Sequence, residues 1–213
     1  MEYSFHIYNK MATDGVALAT DNLLSSNLEG KKQKIKGACT SLTQKNTSSI
    51  SYEKPPIIVC VGSDLAIGDS LGPITGSMLK FKTQGLHVFL YGTLSSPVTA
   101  KEIKYLRAFL KETHKDRQII AIDAAVGNQG DIGLIKTSDS PLFPGAGANK
   151  KLGAIGDISI MGIVAEKSVA NYGLLNTTRL NLVYTMAEII SDALAALLWE
   201  KCSRYQEENA KKA

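Results

Sequence analysis

Three short apolar runs mark the middle of the chain: Ile57-Ile-Val-Cys-Val61, His87-Val-Phe-Leu-Tyr91 and Gln118-Ile-Ile-Ala-Ile-Asp-Ala-Ala-Val126. They are continuous and rich in β-branched residues, not alternating. That pattern predicts strands buried on both faces, as in a parallel sheet covered by helices. The stretches between them change period. After Pro73, which a first helical turn tolerates, Ile74, Met78 and Phe81 recur at i, i+4 and i+7 and predict a helix of about ten residues. Thr99-Ala-Lys-Glu102 has the form of a capping box, followed by Ile103, Leu106 and Leu110 at helical spacing. The core therefore reads β-α-β-α-β, with right-handed parallel crossovers.

The pattern loosens on both sides of this core. Residues 127–156 are rich in glycine and hold one short apolar stretch, GLIK. A second, ISIMGIV at 158–164, follows, and both read as further strands. Asn176 and Thr177 can cap a last helix whose stripe runs Leu180, Val183, Ala187, Ile190, Leu194, Leu197. Its tail, QEENAKKA, is expected to fray. Upstream, Val16, Leu18, Leu23, Leu24 and Leu28 suit a short helix docking on the core. Residues 31–51 contain no acidic residue, much Ser and Thr, and Lys31, Lys32, Lys34, Lys36 and Lys45, so they read as a polar linker ending at Pro55-Pro56. The expected division is an N-terminal extension and linker at 1–55, an α/β domain at 56–205, and a frayed tail at 206–213.

Composition narrows the function. With 213 residues, 44% of them apolar, the chain supports one well-buried core. Its three Cys are far apart with no C-x-x-C pair, which argues against structural zinc and thioredoxin-type redox chemistry and suits a reducing compartment. No uninterrupted apolar run approaches the roughly 18 residues of a spanning helix, and the start lacks a signal-peptide pattern. The expectation is a cytoplasmic protein with no membrane partner. The formal charge of +4 raises nucleic acid as a partner, but the lysines crowd into the linker, which argues against it. Only three His stand against 20 Asp and Glu, so any chemistry should rest on carboxylates.

Parallel sheets place their sites outside the carboxyl ends of the strands, and two aspartates fall there. One is Asp69, in the loop Gly62-Ser-Asp-Leu-Ala-Ile-Gly68-Asp69-Ser70-Leu71-Gly72-Pro73; the other is Asp123, in Ile122-Asp123-Ala124-Ala125. The loop is not a P-loop, because Asp69 stands where the phosphate-binding Lys belongs, and it lacks the G-x-G-x-x-G spacing of a dinucleotide fingerprint. Gly68-Asp-Ser-Leu-Gly72 does satisfy G-x-S-x-G and spells GDSL, which would make Ser70 a nucleophile. That triad needs a His late in the chain, and none follows His114. Two carboxylates close together can share one proton and act as base and acid together. Asp69 as a helix N-cap and Asp123 as a hydrogen-bonded turn residue are the structural alternatives. Asp64 reads as an Asx-turn residue, Asp131, Asp139 and Asp157 as loop formers, and Cys60 as a buried hydrophobe.

Together, IIVCVGSDLAIGDSLGPITG and the later IIAIDAAVG resemble the sporulation protein YyaC family, over about Pro56–Trp199. That family resembles the germination protease, an atypical aspartic protease of spore-forming bacteria, and remotely the hydrogenase maturation endopeptidases. The resemblance implies a three-layer α/β/α fold with a mainly parallel sheet, phosphorylase/hydrolase-like. It also implies catalytic roles for Asp69 and Asp123, a protein or peptide substrate such as small spore proteins, no cofactor, and the forespore as a compartment. The hydrogenase-maturation relatives bind nickel of their substrate through two acids and a His; the His has no counterpart here, so no metal is expected. The rival is a binding module that keeps the architecture without catalysis. Homo-oligomerisation is left open.

Overall fold

The computed structural model describes residues 1–37, 54–145, 153–167 and 178–211, with side chains of the first helix described as far as Leu28. Six strands form one sheet: β1 (Glu2–His6), β2 (Ile57–Cys60), β3 (Leu90–Tyr91), β4 (Ile119–Gly127), β5 (Leu134–Ser138) and β6 (Ile158–Glu166). Among the described residues four helices flank it: α1 (Ala12–Gly37), α2 (Leu71–Lys82), α3 (Ile103–Thr113) and α4 (Leu180–Ala210). The order across the sheet is β1-β5-β6-β4-β2-β3. β3, β2, β4 and β6 run parallel; β5 and β1 continue the edge antiparallel. The fold is thus α/β in three layers with a mainly parallel sheet.

Both faces of the parallel strands are dry, as their continuous apolar runs require. Ile58, Cys60, Ile120, Ile122, Ile158 and Ile160 point to the layer of α1, α2 and α4. Ile57, Val59 and Ala121 point to the other side, under Ile103 and Leu110 of α3. The Thr99–Glu102 pair closes a turn just ahead of α3 and does not cap it: the Thr99 amide donates to the Glu102 carboxylate at 3.0 Å and the Lys101 amide to the Thr99 hydroxyl, while the N-cap position is Glu102, with no side-chain cap bond.

Several expectations change. Of the run 87–91, only Leu90 and Tyr91 join the ladder, with one further bond from the Ile58 amide to the Phe89 carbonyl. The segment expected to precede the domain belongs to its fold. β1 pairs with β5 along its length, and Val16, Leu23 and Leu24 of α1 are buried in the main core, so the boundary at 55/56 does not describe residues 1–28. Lys31 to Gly37 continue α1, while the remainder of the expected linker, 38–53, lies outside the described residues. α4 extends to Ala210, through most of the tail expected to fray. It is also long enough to cross a membrane, with a mean hydropathy of 1.5 over its most apolar stretch, 56% of which is buried inside the fold. Its apolar side chains cover the sheet, α1 and α2.

α2 buries only part of its apolar stripe. Its buried residues are Leu71, Gly72, Pro73, Ile74, Thr75, Gly76 and Leu79. A Cβ on Gly72 would lie 2.0 Å from the Val61 carbonyl oxygen, and one on Gly76 would lie 1.9 Å from that of Gly92. The helix therefore touches the backbone of the sheet through its glycines, while along the stripe Ile74 is buried in the core, Met78 is packed partly buried against it, and Phe81 is 73% exposed.

Candidate active site

The parallel strands are ordered so that β2 leads to β3 on one side and β4 lies on the other. The chain thus reverses its direction of travel across the sheet between β2 and β4, and a crevice opens there at the strands' carboxyl ends. Both aspartates stand at this point. The β2–β4 ladder closes at Cys60–Ile122, with a last bond from the Val61 amide to the Ile122 carbonyl, whereas β4 continues beside β6 to Gly127. Asp123 is the first residue of β4 beyond the reach of β2. Alternation puts its side chain on the α3 side, in phase with Ala121. Its Oδ1 accepts the Ala124 amide at 2.8 Å. It is a strand residue, not a turn residue.

Asp69 comes from the chain that leaves β2. Gly62 turns that chain with φ +141°, in the left-handed half of backbone space, and a Cβ there would lie 2.1 Å from the Asp69 carbonyl oxygen. The same oxygen accepts the Ser63 amide at 3.0 Å, so the two ends of the loop are stitched together. The Gly62 amide donates to Val98, which brings in the loop after β3. Asp69 is the middle residue of a 3-10 turn, Gly68–Ser70, ahead of α2. Ser70 holds the N-cap position of α2, and neither helix start has a side-chain cap bond, so Asp69 is not a cap. The small loop turn belongs to Ser63, whose hydroxyl accepts the Leu65 amide; Asp64 is exposed.

Electrostatics couple the two acids. Burial pushes the Asp123 carboxyl well above its ordinary range, the charge of Asp69 pushes it further, and the Ala124 amide opposes both. Asp69 is half-buried in the turn ahead of α2, and its charge acts on Asp123.

The other candidates fall away on geometry. The Ser70 hydroxyl is buried and donates to the Ile67 carbonyl at 2.6 Å, with no histidine beside it. His114 bonds the Tyr91 hydroxyl at 3.0 Å, at the entrance to β4 and not at the end that carries Asp123. Burial pushes the Cys60 thiol far up, which leaves it inert at neutral pH. Asp157 anchors the Ile119 amide and Asp131 accepts Asn128 Nδ2. Among the described residues no three His, Cys, Asp or Glu gather to hold a metal, so the two acids alone do not fit a nickel site.

Fold and site together define an α/β protein with a coupled pair of carboxylates at the switch point of its parallel strands. Residues 28–193 match the family described as Protein of unknown function (DUF1256), and the chain belongs to that family. It is 42% identical over 142 residues to "Uncharacterized protein YyaC" of Bacillus subtilis (strain 168), covering 67% of this chain and 69% of that one, as the resemblance to the YyaC family implied. Among solved structures it is similar to the NiFe hydrogenase maturation protease HycI from Thermococcus kodakarensis KOD1. That match has a TM-score of 0.44 at 18% identity, over 68% of this chain and 93% of that chain.

Proposed function

We propose that this protein is an endopeptidase in which Asp69 and Asp123 share one proton and activate water against a peptide carbonyl. The observation that supports this reading is the position of Asp123 beside Asp69 at the strands' carboxyl ends, where burial and then the neighbouring charge of Asp69 push its carboxyl well above the ordinary range. Asp69, ionised, takes a proton from water as the oxygen attacks the carbonyl carbon. Asp123 gives its proton to the departing amide nitrogen, and the proton on Asp69 returns the pair to its starting state. The reaction consumes one water per bond and needs no cofactor. Small spore proteins are the substrate class that the family resemblance suggests, and the forespore is the matching compartment.

The test is cleavage of a purified small acid-soluble spore protein, followed by mass spectrometry. Asp123→Asn and Asp69→Asn should each lower the rate by about 10²–10⁴-fold with an unchanged circular dichroism spectrum, the range a positioned proton-transfer group contributes. Wild-type protein that binds the substrate and leaves it whole would instead make the chain a binding module.

A further inference from the structure

The outer end of the apolar stripe of α2 reaches the surface beside α4. Met78 and Phe81 of α2, Tyr184 of α4 and Leu94 from the loop after β3 line an open groove over the buried Ile74, with Ser77 and Lys82 as its polar members; its volume of about 370 Å³ is within the usual size of a binding cleft. Phe81, Tyr184 and Leu94 are 73%, 51% and 45% exposed. Neither candidate catalytic acid lines it, yet it is built from the same two segments as the site. α2 begins two residues after Asp69 and carries the groove along its next turns. The loop that supplies Leu94 also supplies Val98, whose carbonyl holds Gly62 at 3.0 Å, and the Leu94 amide is pinned to Ser77 of α2 at 2.9 Å.

We propose that this groove is the binding subsite for a large apolar side chain of the polypeptide cut at Asp69 and Asp123. Its reach fits. From Leu71 to Phe81 the helix rises roughly 15 Å, which an extended peptide spans in about four or five residues. A polypeptide crossing the crevice can therefore lay an apolar residue on Phe81 and Leu94 within that distance of the scissile bond. Continuity with the site selects this occupant over a second copy of the chain. The cleavage itself rests on the function proposed above; the groove's ligand does not.

The test separates the two. Randomised decapeptides carrying one benzophenone side chain, which is large, apolar and photoreactive, are irradiated with the Asp123→Asn protein, and the attachment points are mapped by mass spectrometry. Attachment to α2, Leu94 or Tyr184, reduced at least tenfold in Asp123→Asn proteins that also carry Phe81→Ser or Leu94→Ser, supports the subsite. It does so even where the wild type cuts nothing, an outcome that removes the peptidase reading alone. In wild type, the cleaved pool should favour Leu, Met or Phe within five residues of the cut, and Phe81→Ser should flatten that preference. Attachment elsewhere, or cleavage with no such preference, overturns the subsite and leaves the peptidase standing. A wild-type dimer in sedimentation that Phe81→Ser dissociates also overturns it, by showing that a second copy covers the groove. Because Phe81 and Leu94 are exposed, neither substitution should disturb folding.

Discussion

Asp123 is held in a state that its own residue type disfavours. Unfolded, it would ionise near the ordinary value of about 3.9; folded, it keeps its proton to a higher pH, first because it is desolvated and second because Asp69 is charged. The folded form thus binds a proton that the unfolded form releases, and stability falls as pH rises from about 4 to the folded value, then levels off. Asp123→Asn removes that loss. It should raise stability at pH 7 by roughly 0.5–2 kcal/mol, a common gain when a functional residue is relieved, and by nothing near pH 4. Thermal melts at both pH values measure this. Asp69→Asn acts on the second cause alone: carboxyl carbon NMR should show Asp123 titrating lower than in wild type but still above its ordinary value. Sequence position was enough to bring these two acids forward as candidates, because Asp69 lies in the loop after one apolar run and Asp123 interrupts another, where β4 outlasts β2. Their coupling was not legible, since it depends on β4 lying beside β2 and outrunning it, a property of strand order.

At the scale of the element, α2 has the most to teach. Its i, i+4, i+7 stripe correctly predicted a helix and its buried Ile74 but not the exposure of Phe81, because the line that meets the sheet is chosen by how closely two backbones can approach. Gly72 and Gly76, four apart, are the signal for that approach, and they were visible in the sequence without a partner to give them meaning. In an exposed helix Gly→Ala gains close to 1 kcal/mol. Here Gly76→Ala should destabilise by about 1–3 kcal/mol, because its Cβ would lie 1.9 Å from the Gly92 oxygen and the helix must move off the sheet. Denaturant titration reads the sign, and proteolytic activity should fall with it, as Asp69 travels with the helix start. β3 illustrates the opposite failure: four apolar residues in a row after His87 promised a full strand, but only two of them pair.

The whole molecule differs from its sequence outline chiefly at the N-terminal end. A weakly periodic stretch followed by a lysine-rich one has the look of an appendage, yet Leu23 and Leu24 are buried in the main core and Asp21 pairs with the buried Lys201 of α4 at 2.7 Å. Leu24→Ala should cost about 2–5 kcal/mol in chemical denaturation, the penalty of a cavity in a packed core and not that of an appendage trimmed. The pairing that makes these residues integral also sets a clock. β1 finds its partner β5 some 130 residues later, and a ribosome adding about 5–20 residues per second needs roughly 7–26 seconds to deliver it. During that interval the nascent chain presents an open strand edge and the uncovered apolar side of α1, so a segment made well before its partners is among the last to be protected.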